Sequence, residues 1–131
     1  MNLSHYYAGA ILEATFRGVA YAFPSKVYIA LYTTNPTAVD TGQEVTGGAY
    51  QRLEVPYANV IIENGKKTIK NSADIVFSVA TADWGAVTHA GIRDAASGGN
   101  LLIFGALKSP RSILAGDRFR IMENELVLTL S

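Results

Sequence analysis

The stretch ATADWGAVTHAGIRDAASGGN, residues 80–100, contains the pattern that decides the fold of this chain. From Ala86 to Arg93 the side chains alternate between two series of different polarity, as in a half-buried strand. The series Ser97 to Asn100 contains two glycines, which are typical of a turn, and another strand-like segment begins at Leu101. The stretch therefore predicts a β-hairpin.

The two faces of the first hairpin strand are predicted to differ in their surroundings. One face carries Val87, His89, Gly91 and Arg93, and the other carries Ala86, Thr88, Ala90 and Ile92. Just before this strand, Trp84 and Gly85 predict a corner at which the indole covers the core.

Outward from this hairpin, the chain shows further short segments with strand character. Lys26 to Thr34 is apolar on both faces, which indicates a central strand. Asn64 and Gly65 predict a tight hairpin turn, and Ser109 to Gly116 predicts another turn. The remaining strands are predicted at Gln51 to Ile62, Lys66 to Asn71, Asp74 to Val79, Leu101 to Leu107, Arg118 to Met122 and Glu125 to Leu130. This spacing predicts a mainly β fold, an antiparallel β-sandwich of jelly-roll or Greek-key type.

One short helix is predicted to precede the strands. Apolar residues recur at helical spacing from Ser4 to Arg17, with Ser4 as the N-cap and Gly18 as the stop. The length of 131 residues suits one domain, so we expect a single β-sandwich domain over residues 1–131, with residues 1–22 as an N-terminal helical arm.

Composition argues against several classes of partner and favours assembly. Lys plus Arg and Asp plus Glu are 11 each, so no excess positive charge is available for nucleic acid. No run of about twenty apolar residues occurs, so no membrane contact is expected. Only 17% of residues are charged, which predicts a largely neutral surface. Because such a surface favours association, we expect other subunits to cover part of it.

Catalytic and metal sites are not predicted. His89 lacks a local nucleophile and an orienting carboxylate, and the only other histidine is His5, far away in sequence. The chain has no cysteine, so thiolate zinc sites and thiol catalysis are excluded. We therefore expect no enzyme activity, no cofactor and no metal. A calcium ion in a loop and a carboxylate pair formed across loops stay open as alternatives.

Tyrosine-rich segments are the candidates for contact with a partner, because tyrosine is favoured at interfaces as well as at core edges. All seven tyrosines fall in the first half of the chain, and a long polar loop runs from Asn35 to Tyr50. The candidate interface residues are Tyr6, Tyr7, Ile11, Tyr28, Tyr32, Tyr50, His89 and Arg93.

Three segments carry a resemblance to a known family. They are VYIALYTTNPT (27–37), EVTGGAYQR (44–52) and NSADIVFSVATADWGAVTHAGIRDAASGGNLLIFGAL (71–107). In this order and at these distances they resemble small tailed-bacteriophage virion proteins, often labelled tail-fibre-like or structural, over the chain from Val27 to its C-terminus. The resemblance implies a phage origin and a structural role, and it supplies no catalytic residues.

From these observations we expect a phage virion protein, and a capsid-decorating (cement) protein in particular. It would assemble as a homo-oligomer, with a trimer expected, and contact the major capsid protein or other virion proteins on the particle surface after synthesis in the host cytoplasm. The N-terminal helix and the loop from Asn35 to Tyr50 are the expected anchors. The alternative is a tail-associated or tail-fibre component, or an adhesin that binds a host glycan.

Overall fold

The computed structural model describes residues 1–130, and these fold mainly into antiparallel β-strands with one helix near the N-terminus. The predicted mainly β, antiparallel fold with one short N-terminal helix is confirmed, and its jelly-roll or Greek-key type stays a prediction. The elements are β1 (Asn2–Leu3), α1 (His5–Arg17), β2 (Tyr28–Tyr32), β3 (Leu53–Glu54), β4 (Ile61–Glu63), β5 (Lys66–Lys70), β6 (Ile75–Val76), β7 (Gly85–Arg93), β8 (Leu101–Ile113), β9 (Arg120–Ile121) and β10 (Val127–Leu130).

The strands form three sheets, in which every pairing is antiparallel. The largest has the order β1-β8-β7-β2-β3, the second has the order β10-β5-β4, and β6 pairs with β9. The predicted hairpin is the pair β7 and β8, which forms the middle of the largest sheet.

The main core lies between one face of the five-stranded sheet and the elements that oppose it. Ile29 of β2 and Ile92 of β7 come from the large sheet, and Ile75 of β6 comes from the two-stranded sheet. Phe119, next to β9, and Trp84 complete the cluster. Since burial of such side chains is the main stabilising contribution to folding, this contact between layers holds the sandwich together.

β2 is buried on both faces, as its sequence predicts. Ile29 and Leu31 belong to the main core, whereas Ala30 and Tyr32 pack with Leu101 and Phe104 in a second cluster behind the sheet. The strand lies between β7 and β3, which confirms its central position.

The predicted faces of β7 need correction at Val87 and, with it, at the neighbouring Ala86, which is exposed. Val87 is not on the face of His89 and Arg93, because it is buried in the main core with Ala90 and Ile92. The pairing with β8 changes register between Val87 and His89, and such an irregularity turns the following side chains to the opposite face.

Two strand boundaries also differ from the prediction. β8 continues to Ile113, through most of the segment predicted as a turn. Its pairing with β7 is interrupted between Ala106, which pairs with His89, and Arg111, which pairs with Val87, and Pro110 lies in this interruption. Proline is tolerated at such an interruption because no ladder hydrogen bond is required there. The strand predicted at Gln51 to Ile62 is divided into β3 and β4, which pair in different sheets on either side of Pro56.

α1 has the ends that the sequence predicts. The Ser4 hydroxyl oxygen accepts a hydrogen bond from Tyr7 N at 3.1 Å, and Gly18 has the left-handed conformation, with φ of 68°. The arm is fastened to the sandwich at its start, because Asn2 and Leu3 pair with β8 and Ser4 N donates to Leu102 O at 2.8 Å.

Candidate interaction surfaces

The outer side of α1 is an apolar surface. No residue of this helix is buried, and Leu12 and Phe16 are 57% and 78% exposed. They lie four residues apart and therefore next to each other on the helix. Gly9, one turn before Leu12, leaves open space around its Cα. Exposed large apolar side chains in a row are typical of a contact surface for a partner.

An apolar groove lies beside the start of the chain. It has a volume of about 400 Å³ and is formed where the N-terminal segment and the five-stranded sheet meet the β10-β5-β4 sheet. Exposed apolar residues at its rim are Met1, Leu3, Phe23, Val60 and Leu130. Tyr57 also lines the groove, and its buried hydroxyl has no hydrogen-bond partner among the described residues. Burial raises the pKa of this hydroxyl, so it is a neutral group at physiological pH.

Two arginines fasten the long loop to the β7–β8 turn. The Arg52 guanidinium donates to both carboxylate oxygens of Glu44, each at 2.8 Å, and to the backbone oxygens of Ala95 and Gly98. Arg93 donates to both oxygens of Asp40, at 2.8 and 2.9 Å. We call Arg52, Arg93, Glu44 and Asp40 the arginine cluster.

The arginine cluster fixes the part of the loop that was predicted to anchor a partner. Bidentate arginine–carboxylate pairs hold their partners in a defined geometry, and the Arg52 and Arg93 side chains are buried. Burial opposes the charge on Arg93, but the hydrogen bonds to Asp40 and Tyr32 outweigh it and raise the pKa of Arg93. The Glu44 and Asp40 carboxylates thereby attach the loop to the rest of the same chain.

Several predicted interface residues lie inside the protein. Tyr32 is buried in the second cluster, and its hydroxyl oxygen accepts from Arg93, which is only 7% exposed. The Tyr50 hydroxyl donates to Glu44 and accepts from Leu31 N, and its ring packs edge-on against Trp84. Tyr32 and Arg93 therefore expose little surface to a partner, and their polar groups already have hydrogen-bond partners within the chain.

The other candidates are nearer the surface. Tyr6 is exposed on α1, and Tyr7 and Ile11 are half-buried on the same helix. Tyr28 is half-buried in β2. His89 is half-buried, and its Nδ1 lies 2.8 Å from the Thr88 hydroxyl, beside the register change in β7. Tyr7 also lines the apolar groove.

Sequence reasoning missed the rim of the groove. Met1, Phe23, Val60 and Leu130 belong to four distant segments, and each alone is an ordinary apolar residue. The segment from Asn59 to Ile62 offered one signal, since three consecutive apolar residues next to an Asn-Gly turn exceed what a half-buried strand needs.

Within residues 1–130, no three His, Cys, Asp or Glu side chains are placed to hold a metal ion. No helix in the described part of the chain has the length and apolar character required to cross a membrane.

Acid should weaken the arginine cluster through Glu44. Burial would raise the pKa of this carboxyl, but hydrogen bonds from Arg52 and Tyr50 outweigh it, so the pKa lies below the ordinary value. A lowered pKa means that the stabilisation is complete above about pH 4.5 and is lost as the pH falls through the lowered value. Glu44→Gln should therefore reduce the free energy of unfolding by about 2 kcal/mol at pH 7. The free energy of unfolding of this variant should also fall less steeply than that of the native chain as the pH is lowered.

Denaturant unfolding at a series of pH values, followed by Trp84 fluorescence, tests this expectation. The control is Glu54→Gln, because the Glu54 carboxylate is half exposed and meets Lys26 at 3.6 Å. An unchanged acid profile in Glu44→Gln would show that this carboxylate does not stabilise the fold.

Comparison with known proteins gives one family. A family model described as "Podophage GP4 fiber I protein gp80" matches residues 2–129 of this chain. No curated protein sequence gives a significant match. The match covers α1 and every strand except the last residue of β10, and it leaves out Met1 and Leu130 at the rim of the groove.

Proposed function

Because the chain belongs to the family described as Podophage GP4 fiber I protein gp80, we propose that it is a fibre-associated part of the phage particle that attaches to another virion protein through α1. Family membership gives the broader role, which is that of a phage virion structural protein. The fibre location is supported by the description of the family.

The observation that carries attachment through α1 is the apolar outer side of this helix. Leu12 and Phe16 face solvent, although the same helix is tied to the sandwich by β1 and by the Ser4 cap. An anchored helix with a free apolar stripe can dock in a groove of a partner without unfolding the domain. Burying two such side chains contributes about 1.5–3 kcal/mol each.

Capsid decoration is the second candidate, and the low charge of the chain favours it. With 17% charged residues and no net charge, much of the surface suits contact with neighbouring subunits, as in a protein laid against a shell. Labelling the protein with antibody on intact particles distinguishes the two candidates. Label confined to the tail region supports the fibre role, and label spread over the shell supports decoration.

Polar substitution on the outer side of α1 should prevent incorporation into particles. We expect Leu12→Ser with Phe16→Ser to lower the amount of protein in purified particles at least tenfold, which is the effect of about 1.4 kcal/mol in binding. Because both side chains face solvent, the free energy of unfolding of the isolated protein should change by less than about 0.5 kcal/mol per site.

Thr15→Ala with Arg17→Ala is the control, since both residues are exposed on the same helix and should leave incorporation unchanged. Point substitutions are preferable to deleting residues 1–18, because the deletion also removes β1 and the Ser4 contacts with β8. Full incorporation of the Leu12 and Phe16 double variant would contradict attachment through α1.

A further inference from the structure

A second groove lies between the far half of β8 and residues 119–127, and we call it the basic groove. It has a volume of about 700 Å³, and none of its lining residues belongs to α1. Its floor includes Ala90 of β7 and Gly105 of β8, which pair with each other in the large sheet. Because these two residues have little or no side chain, they leave the space above them open. Ile29 of the main core also lines the groove, so its floor is apolar.

Three basic residues line the basic groove, and a fourth lies next to it. Lys108 and Arg111 line it from β8, and Arg120 lines it from β9. Arg118 and Arg120 are exposed on either side of the buried Phe119, so both side chains point away from the core. Lys108 and Arg111 are exposed as well. A cleft bordered by charges of one sign concentrates its electrostatic field, so this groove attracts anions although the net charge of the chain is zero.

Unlike the arginine cluster, these four cations form no ion pair with another residue in the range 1–130. The neighbouring Asp117 carboxylate instead accepts a hydrogen bond from Leu114 N at 2.9 Å. The Arg111 guanidinium lies 6.0 Å from the centre of the Phe119 ring, over its face. Glu125 lines the groove and offsets only part of the positive charge. The basic groove therefore keeps positive charge that the described part of the chain does not neutralise.

The backbone of β8 offers hydrogen bonds at the same groove. Ser4 N donates to Leu102 O, on the β1 side of β8. Because the backbone groups of an antiparallel strand alternate in direction, Phe104 and Ala106 direct theirs to this side too. β1 pairs with Phe104, but within residues 1–130 no strand pairs with this side of β8 at Ala106, which lines the groove. The Ala106 N–H and C=O groups are therefore free to bind the backbone of a partner.

The floor, the basic side chains and the free backbone groups together favour a peptide over other anionic polymers. An extended peptide directs alternate side chains to opposite sides, so it can offer acidic groups to the cations and apolar groups to the floor. Nucleic acid binding depends on a larger excess of positive charge than a net charge of zero provides. A sugar ring packs well on an exposed aromatic face, but Phe119, the aromatic residue that lines this groove, is only 4% exposed.

We propose that the basic groove binds an extended segment of another virion protein in which acidic and apolar residues alternate. Lys108, Arg111 and Arg120 attract and orient the acidic side chains, and the apolar side chains cover the floor at Ala90 and Gly105. The contact uses no residue of α1. It is therefore a second attachment, which does not depend on the one proposed through α1.

Fluorescence anisotropy with the full-length protein and a labelled peptide of alternating glutamate and valine tests this proposal. We expect saturable binding that weakens as the salt concentration rises, because salt screens exposed charges. Lys108→Gln with Arg120→Gln should raise the dissociation constant roughly tenfold, since it removes two of the cations that line the groove. Both side chains are exposed, so the circular dichroism spectrum should stay unchanged.

Lys66→Gln with Lys67→Gln is the matched control, because it removes the same charge at exposed residues of β5 that do not line the basic groove. It should change the dissociation constant by less than about twofold. A peptide of alternating glutamate and serine should bind more weakly than the valine peptide, because serine does not cover the apolar floor.

Several outcomes would overturn the proposal. It is wrong if the valine peptide does not bind up to millimolar concentration, if the two double variants weaken binding equally, or if the serine peptide binds as tightly as the valine peptide. Tighter binding of an oligogalacturonate or of a single-stranded DNA with the same number of charges would assign the groove to a glycan or to nucleic acid instead. None of these results bears on attachment through α1, which is measured by incorporation into particles.

Discussion

Replacement of Trp84 by alanine is expected to lower the free energy of unfolding by about 3–5 kcal/mol, the usual cost of removing a large aromatic side chain from a core. The indole is buried and meets the ring of Tyr50 edge-on at 5.4 Å and that of Phe77 at 6.2 Å. Its Nε1 donates to Gly48 O at 2.9 Å. The substitution removes the core contact and the hydrogen bond to the loop together.

Thermal and urea unfolding followed by circular dichroism measure this effect, since the variant lacks the only tryptophan. Phe16→Ala is the control, because its ring faces solvent, and it should change the free energy of unfolding by less than about 0.5 kcal/mol. Trp84→Phe keeps a ring but loses the donor to Gly48. Its free energy of unfolding should lie between those of Trp84→Ala and Phe16→Ala. A Trp84→Ala variant as stable as the native chain would show that the contacts of the indole with Tyr50, Phe77 and Gly48 do not hold the loop and core together.

Arg93→Met is expected to cost about 3 kcal/mol, at the lower end of the range for breaking a buried ion pair. Arg93 donates to Tyr32 Oη at 3.0 Å, to both oxygens of Asp40 and to the backbone oxygens of Gly98 and Gly99. Methionine fills similar space but supplies no donor, so the buried Tyr32 hydroxyl and the Gly99 carbonyl lose their partner. Gly98 O keeps its hydrogen bond from Arg52. The Asp40 carboxylate is about one-third exposed and can be rehydrated, which limits the loss.

The matched control is Arg17→Met, since Arg17 and Glu13 form an exposed pair on α1 that is worth about 0.5 kcal/mol or less. Arg93→Lys keeps the charge but cannot form the bidentate contact, so its stability should lie between those of the native chain and Arg93→Met. Amide hydrogen exchange should also become faster in the Asp40 loop and in residues 94–100. Unchanged exchange in these two segments would contradict the role of Arg93 as their link.

Local patterns correctly predicted the mainly antiparallel fold and the ends of its helix. Ser4 and Gly18 have the roles expected of a cap and a stop, and the Asn64-Gly65 turn closes the hairpin where it was expected. These features depend on residues within a few positions of each other, because caps and tight turns are set by local φ and ψ angles.

Local sequence patterns do not predict the features that join distant segments of the chain. Val87 was assigned to the wrong face because the register change in β7 arises from its pairing with β8, about twenty residues later. Arg93 was expected near a partner, yet it meets Asp40 and Tyr32 from another part of the chain. The ion-pair partner of an arginine depends on which distant segment packs beside it. The charge pattern of one strand does not show which segment that is.

The sequence by itself determined the fold class, the helix with its two ends and the relation to phage virion proteins, because these are carried by local periodicity and by motifs in fixed order. Only the tertiary structure decided that the loop from Asn35 to Tyr50 is attached to its own chain and that apolar surface remains at α1 and β4. The physical reason is that exposure depends on what packs against a residue. Leu12 and Ile62 are apolar in sequence like Ile29, but other elements cover only Ile29.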